Sequence, residues 1–463
     1  MEAATKRARA GRCSAPDRLS ALPDELLRHV LSFLPSRQAV QTTVLSKRWV
    51  DLWRWVPAIN LDIRDFRDTD RSLGDWEKMK DFTNNLLMLH NAPRLEAIRL
   101  GLYIISFRSY PGPGPGPVVD RWVRRVIKHH PLVLDIFVCR SFTHIFQIPL
   151  IGSAFCRLKT LKLQGVSLDN CFTDRLNSGC PVLEDLVLNY CRNEFDAIQS
   201  DTLKNLVVET CSSRIADVLV IRAPCLTSLS LNFPYIRYRN GLSLEAGNSL
   251  VMASISVESD GSSQSYQTMI LGNLWNVTSL DLKGFGAMAF LDKELDKFPI
   301  FDNLRTLSLS WCFLSEHDVH TFKALGRFLQ KSPNLEKLSL QDFWVRPVVG
   351  PIEFPMLNNL RTLFLDECDL RDNFRILRHL LRRSPNLEKL SVRCCKLPEG
   401  SVGGKGKARK THLWSRNLVR FQCHKLKSTE IIYEKGDKIQ ELVCLLLDIS
   451  ECAPMDTVTL TKV

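Results

Sequence analysis

One spacing, L-x-x-L-x-L, recurs along most of the 463-residue chain and constrains its fold more than any other feature. Clear copies stand at Leu158, Leu161, Leu163; Leu183, Leu186, Leu188; Leu226, Leu229, Leu231; Leu304, Leu307, Leu309; Leu335, Leu338, Leu340; and Leu360, Leu363, Leu365. Other apolar residues keep the spacing at Leu95, Ile98, Leu100; Leu203, Leu206, Val208; Val277, Leu280, Leu282; Leu387, Leu390, Val392; and Leu418, Phe421, Cys423. If Leu250, Ala253 and Ile255 count as a copy, ten intervals cover the 260 residues from Leu158 to Leu418, a period of about 26. Individual intervals run from 20 to 31 residues, which predicts an irregular array. SPNLEKL and NLRTL each occur twice, as expected from duplication of repeat pairs.

A strand alternates its side chains, so the second and third apolar residues of each copy share one face, and the first enters the core where the chain bends into the strand. No copy can bury that face alone; stacked neighbours make a continuous apolar column. The pattern resembles the leucine-rich repeat, whose period is roughly 20 to 29 residues. The expected fold is therefore an α/β solenoid over residues 93–426 with a parallel inner sheet. Connections such as HDVHTFKALGRFLQKSPN place Val319, Phe322, Leu325, Phe328 and Leu329 at helical spacing, which predicts helices on the outer side. Cys191, Cys211, Cys312, Cys368 and Cys395 fall where this repeat takes Asn or Cys, with Leu314, Leu370 and Leu397 two residues beyond three of them. They read as buried turn fillers. Fifteen cysteines without a CxxC pair fit reduced thiols, and neither Cys394–Cys395 nor Cys423–His424 has a second ligand set, so no metal is expected.

Residues 17–56 carry a different pattern. Pro23, Asp24 and Glu25 suit a helix start; Leu26, Leu27, Val30, Leu31 and Leu34 follow on an apolar stripe that Pro35 ends. Ser36 is placed to cap a second helix with Ala39, Val40, Val44 and Leu45, and Ser46 a third with Trp49, Leu52 and Trp53. About 40 residues rarely fold without staples or a partner. Trp49, Trp53 and Trp55, three of nine tryptophans within seven residues, point to a partner surface.

Asp17, Arg18, Leu19, Ser20, Leu22, Pro23, Asp24, Leu26 and Leu27, then Leu31, Ser32, Leu34 and Pro35, then Leu45, Ser46, Lys47, Arg48 and Trp49, make this segment closely similar to the F-box of plant F-box/leucine-rich-repeat proteins. The resemblance implies a small three-helix F-box domain. It further implies a non-catalytic substrate-recognition subunit of a Skp–cullin–F-box ubiquitin ligase, docking a Skp-type adaptor that links to cullin and RING subunits. Its implied adaptor contacts are Leu22, Pro23, Leu26, Leu27, Val30, Leu31, Val40, Leu45 and Trp49. Residues 427–463 are similar to the FBD tail of such proteins, and residues 57–92 read as a connector.

A protein substrate is expected on outward strand positions: Asn189, Glu209, Asn232, Asp281, Gln341, Phe364, Asp366 and Arg393, with Lys162 and Ser310 beside them. Their mixed chemistry names no ligand class and calls for no cofactor. GxSxG, HExxH, P-loop and dinucleotide fingerprints are absent from the sequence, which argues against an enzyme. His129 and His130 read as a solvated helix end. The net charge of +12 is spread along the chain and not gathered beside stacking aromatics, which disfavours nucleic-acid binding. No run reaches the roughly 18 apolar residues of a membrane span. Residues 1–16 read as a disordered basic tail; Lys6, Arg7, Arg9 and Arg12 suit a solvated end or a nuclear-import signal, giving a nuclear or cytoplasmic location. PGPGPGP at 111–117, ESDGSSQSYQ at 258–267 and PEGSVGGKGKARK at 398–410 read as exposed loops, the last with Lys405, Lys407, Arg409 and Lys410 open to an anionic partner. A ligase-independent interaction scaffold is the alternative function.

Overall fold

The computed structural model describes residues 19, 21–67, 74–102, 116–138, 155–213, 218–233, 241–246, 248–257, 271–285, 299–312, 321–343, 354–371, 374–397, 423–434, 439, 440, 442, 443, 445, 446 and 457–462. The basic tail, the 258–267 and 398–410 segments, Leu314, Val319, Leu418 and Phe421 lie outside the described residues. The chain divides into two compact units, Met1–Ser141 and Phe142–Val463.

In the first unit, Pro23 stands just before the helix Asp24–Leu31, with Asp24 and Glu25 in its first turn, and Pro35 just before the helix Ser36–Gln41. The expected second helix stops at Gln41 and gives way to a 3-10 turn at Thr42–Val44, and the expected third is instead two 3-10 turns, Lys47–Val50 and Leu52–Trp55. Ser46 is fully extended (φ −166°, ψ 169°) and breaks the run, and its side chain makes no capping bond. Nor does Ser36 cap: it lies inside its helix, and its Oγ accepts the Asn60 backbone N–H at 2.9 Å. Leu27, Leu31, Ala39, Trp49, Leu52 and Val56 form the core of this module, with Leu22 and Leu34 against it. Arg48 closes it, donating Nε and Nη2 to Asp24 Oδ1 at 2.9 and 2.7 Å.

Residues 57–92 are no connector. They supply a strand, Ala58–Asp62, in parallel register with Ala97–Leu102, and a helix, Gly74–Leu89. Val56, Ile59 and Leu61 keep the repeat spacing, so the array starts inside the first unit. A third strand, Val133–Val138, pairs with Ala97–Leu102. This strand pairing explains how so short a module folds: Asn60 Nδ2 donates to the carbonyls of Ser32 (2.9 Å) and Leu34 (3.1 Å), tying both helix ends to the first strand. The helix Gly116–Val126 buries Val119, Trp122, Val123 and Val126, and Gly116 and Pro117, expected in an exposed loop, open it instead; residues 111–115 lie outside the described residues. His129 is not a solvated end: its Nδ1 lies 2.8 Å from the Ala92 carbonyl.

His90, at the end of Gly74–Leu89, is buried, with Nε2 3.0 Å from the Val56 carbonyl and Nδ1 without a partner among the described residues. The carbonyl can only accept, so Nε2 donates and the basic nitrogen is the buried Nδ1. Burial, opposed by the Val56 bond and reinforced by His129, lowers its pKa from 6.5 to about 4. Because the folded value lies below the unfolded one, His90 is neutral in both states at neutral pH and costs nothing there. As pH falls from about 6.5 towards 4, the unfolded chain takes the proton first and stability is lost. Urea unfolding of the first unit is expected to lose on the order of 2 kcal/mol from this group between pH 7.5 and 5. His90→Gln, which keeps a donor for Val56, should remove that part of the slope; an unchanged slope would refute the assignment.

In the second unit the described residues form twelve parallel strands: Thr160–Gln164, Asp185–Asn189, Asn205–Glu209, Ser228–Phe233, Met252–Val257, Ser279–Lys283, Thr306–Ser310, Lys337–Gln341, Thr362–Asp366, Lys389–Arg393, Ser428–Tyr433 and Thr457–Lys462. Register is repeat on repeat, as in Leu307↔Leu338↔Leu363↔Leu390, and these leucines are buried. Two strands lie beyond the expected end at residue 426, so the ladder continues into the proposed tail. The copy placed at Leu418 was out of frame: Cys423 sits in the turn before Leu426, whose N–H bonds the Cys423 carbonyl, and the strand begins at Ser428.

Helices Phe172–Gly179, Thr321–Gln330 and Arg375–Arg383 occupy some connections. In others the expected helix is replaced by strands, Ala197–Gln199, Val218–Ala223 and Gly241–Ala246, in a separate parallel sheet. Intervals of 20 to 24 residues leave little length for a helix there. Leu219, Ile221 and Ala223 alternate inward, a period of two.

Eight strands end alike. Gly165, Tyr190, Thr210, Gly284, Trp311, Asp342, Glu367 and Cys394 all have φ between 45° and 73°, and each N–H bonds a carbonyl at the last or next-to-last position of the strand in the next repeat. The next position carries the cysteines. Cys191, Cys211, Cys312, Cys368 and Cys395 are buried, and their Sγ atoms lie 3.4, 3.2, 3.4, 3.3 and 3.7 Å from the carbonyls of Leu163, Leu188, Leu282, Leu340 and Leu365 in the preceding repeat. The thiol thus fills the turn and satisfies a carbonyl. Burial pushes Cys312 up to about 12, and all eleven cysteines of the described residues are free.

Candidate functional site

The helical module presents apolar side chains that its own core does not use. Leu26, Val30 and Phe33 are 51%, 45% and 74% exposed and follow one another at i, i+4 and i+7, one helical stripe. Val44, Leu45 and Val50 are exposed on the turns that follow, and Leu19 precedes the first helix. Exposed aliphatic and aromatic groups at this density mark a surface that a partner covers.

The nine expected contacts divide. Leu26, Val30 and Leu45 lie on the exposed surface, Pro23 is exposed beside them in sequence, and Leu22 and Val40 are half-buried. Leu27, Leu31 and Trp49 are corrected: they are at most 4% exposed and fill the module's interior, because one residue along a helix turns a side chain by about 100°, carrying Leu27 and Leu31 away from the Leu26–Val30 face to where Trp49 packs on them. The tryptophan cluster is also largely internal. Trp49 and Trp53 are buried, and Trp55 is exposed with the Arg28 guanidinium 5.8 Å from its ring centroid. Phe33, Val44 and Val50 were missed, although Phe33 continues the Leu26–Val30 spacing.

The outward strand positions form two groups and one outlier. Asn189, Glu209 and Asn232 are direct cross-strand neighbours. Gln341, Asp366 and Arg393 are likewise aligned, with Phe364 two residues before Asp366 and its ring 5.6 Å from the Arg393 guanidinium. Asp281 stands apart and accepts from Ser254 Oγ at 3.0 Å. Lys162 is exposed, whereas Ser310 is 8% exposed and bonded to Gln341, so it offers little surface. Among the described residues no group of three or more His, Cys, Asp or Glu is arranged to hold a metal, and no helix is long and apolar enough to cross a membrane.

A small helical module with an exposed apolar face, followed by a parallel-strand leucine-rich solenoid, defines a substrate-adaptor class of protein. Comparison with known proteins gives the family. The F-box domain profile matches residues 19–59, and the profile for the LRR repeats of FBD-associated F-box protein At5g56370 matches residues 123–250. The MEIOTIC F-BOX protein MOF of Oryza sativa subsp. japonica is 30% identical over 459 residues, covering 92% of this chain and 82% of that protein. The putative FBD-associated F-box protein At5g56440 of Arabidopsis thaliana is 30% identical over 433 residues, covering 82% of this chain and 93% of that protein. The F-box/LRR-repeat protein At4g14096, also from Arabidopsis, is 28% identical, covering 70% and 73%. The chain belongs to the plant F-box/leucine-rich-repeat family that includes the FBD-associated proteins. Members are typically non-catalytic adaptors, and the F-box domain indicates binding to a Skp-type adaptor.

Proposed function

We propose that this protein is the substrate receptor of a Skp–cullin–F-box ubiquitin ligase. The observation that carries the reading is the exposed Leu26–Val30–Phe33 stripe of the F-box, in a chain whose remaining length supplies a long parallel sheet with polar outward positions. The receptor performs no bond chemistry. It holds a protein substrate near the catalytic subunits, and tethering raises the effective concentration of the substrate's lysines at the ubiquitin-charged enzyme, reaching the millimolar range for short tethers. The outward positions Asn189, Glu209 and Asn232, and Gln341, Phe364, Asp366 and Arg393, are the proposed substrate contacts. Nucleus and cytoplasm are the proposed locations, on the basic tail Lys6, Arg7, Arg9 and Arg12.

The test is affinity purification from cells with the proteasome blocked, comparing the wild type with a Leu26→Asp/Val44→Asp variant. Substrates held by the solenoid should be recovered with both forms, and their ubiquitin conjugates with the wild type alone. Equal conjugation of bound proteins by both forms would favour a ligase-independent scaffold.

A further inference from the structure

At the edge where the chain enters the strands, charge is neutralised within the solenoid. Lys159 and Lys204 flank Glu184 at 3.3 and 3.6 Å, Arg305 meets Glu336 at 3.9 Å, and Arg361 and Lys427 flank Glu388 at 3.4 and 3.1 Å. The opposite edge is different. Asp366 ends one strand and Glu367 follows it, Asp342 occupies the position aligned with Glu367 in the preceding repeat, and none of the three makes an ion pair among the described residues, Arg393 beside Asp366 and Lys283 near Asp342 giving only partial compensation. Strand neighbours lie about 4.8 Å apart, so like charges here oppose folding.

Asp342 is the telling member. The residue is 6% exposed, the Glu367 carboxyl stands close enough to act on its own, and its Oδ2 is buried with no partner among the described residues. A buried carboxylate oxygen without a donor is unfavourable, and positive charge placed on the surface beside it would offset its field. Burial, then Glu367 and Asp366, raise this carboxyl to about 6 against a weaker opposing effect of Lys283, which leaves it mostly ionised at neutral pH. Aromatic faces stand alongside. Trp311, 43% exposed, occupies the aligned position one repeat earlier, and Phe364 already has a guanidinium, that of Arg393, against its ring.

We propose that Trp311, Gln341, Asp342, Phe364, Asp366 and Glu367 form a docking site for one basic side chain, of arginine or lysine, carried by the protein substrate. The site rests on the reading of the outward sheet as the substrate surface, and it specifies the partner: a protein presenting a basic segment. Carboxylates supply charge-assisted hydrogen bonds, and the rings supply cation–π faces. The chain's net charge of +12 works against unspecific capture of cations, so saturable binding of a basic peptide would report this local arrangement.

The experiment is fluorescence anisotropy of a fluorescein-labelled hexaarginine peptide with the full chain at physiological salt. Saturable binding is expected. Asp366→Asn/Glu367→Gln should weaken it by about tenfold or more, and Phe364→Ala by several-fold. Glu194→Gln/Asp196→Asn removes the same charge from other exposed acidic positions and should change affinity less than about twofold. Absence of saturable binding, or equal losses in the two double variants, overturns the proposal. Adaptor binding measured on the same preparations separates the two readings. If it is intact while the peptide fails, this inference falls alone; if the wild type does not bind adaptor, the receptor reading falls.

Discussion

Leu27→Ala is expected to cost the F-box module about 3 kcal/mol and to abolish adaptor binding by unfolding it. Leu27 is completely buried, and its core has five other members, so a cavity there removes a large part of the module's packing. A segment of this size has little stability in reserve. Ala in place of the neighbouring Val30, which is 45% exposed, should change stability by less than about 0.5 kcal/mol. Hydrogen exchange over Asp24–Gln41 reads the difference: protection should collapse in Leu27→Ala and persist in Val30→Ala. Equal protection in the two variants would mean that the helices are held in some other way.

A second large effect is expected in the solenoid. Leu363 is completely buried between Leu338 and Leu390 of the neighbouring strands. Leu363→Asp would put a carboxylate into that column with no donor in reach, a loss of about 5 kcal/mol or more. Each repeat touches only its neighbours, so damage should spread by proximity. Exchange protection should vanish first in Lys337–Gln341, Thr362–Asp366 and Lys389–Arg393, and last in Thr160–Gln164 and Asp185–Asn189. Simultaneous loss along all twelve strands would show that the array unfolds as one unit.

The leucine spacing made most of the strands legible because the same three side chains face the core in every repeat. It failed where the template residues changed. Val56, Ile59 and Leu61 satisfy the spacing without a leading leucine, and Leu426, Thr429 and Ile431 do so with a threonine, so the first strand and the late strands went unread. The cysteine turns were visible because a thiol is small, buried and regularly placed. The strands on the far side of residues 197–246 were not, because they depend on intervals too short for a helix and on a local alternation such as Leu219, Ile221, Ala223. At the candidate site, sequence marked the F-box stripe but could not divide it. Leu26 and Leu27 are consecutive leucines of one helix; one faces solvent and the other the core, and that division depends on where Trp49 and Leu52 close over the helix. Asp342 illustrates the same limit, since nothing in its local sequence shows that Glu367, 25 residues later, is its neighbour.

The central claim, that the exposed face of the F-box docks a Skp-type adaptor, is tested most directly by isothermal titration of purified adaptor against the wild type and Leu26→Asp/Val44→Asp. Both substituted residues are exposed, 51% and 85%, so thermal unfolding should shift by less than about 2 °C. The account predicts tight binding by the wild type and a loss of about a hundredfold or more in the variant, as expected when two apolar interface anchors become charges. Equal affinity of the two forms, or no binding by the wild type, would contradict it.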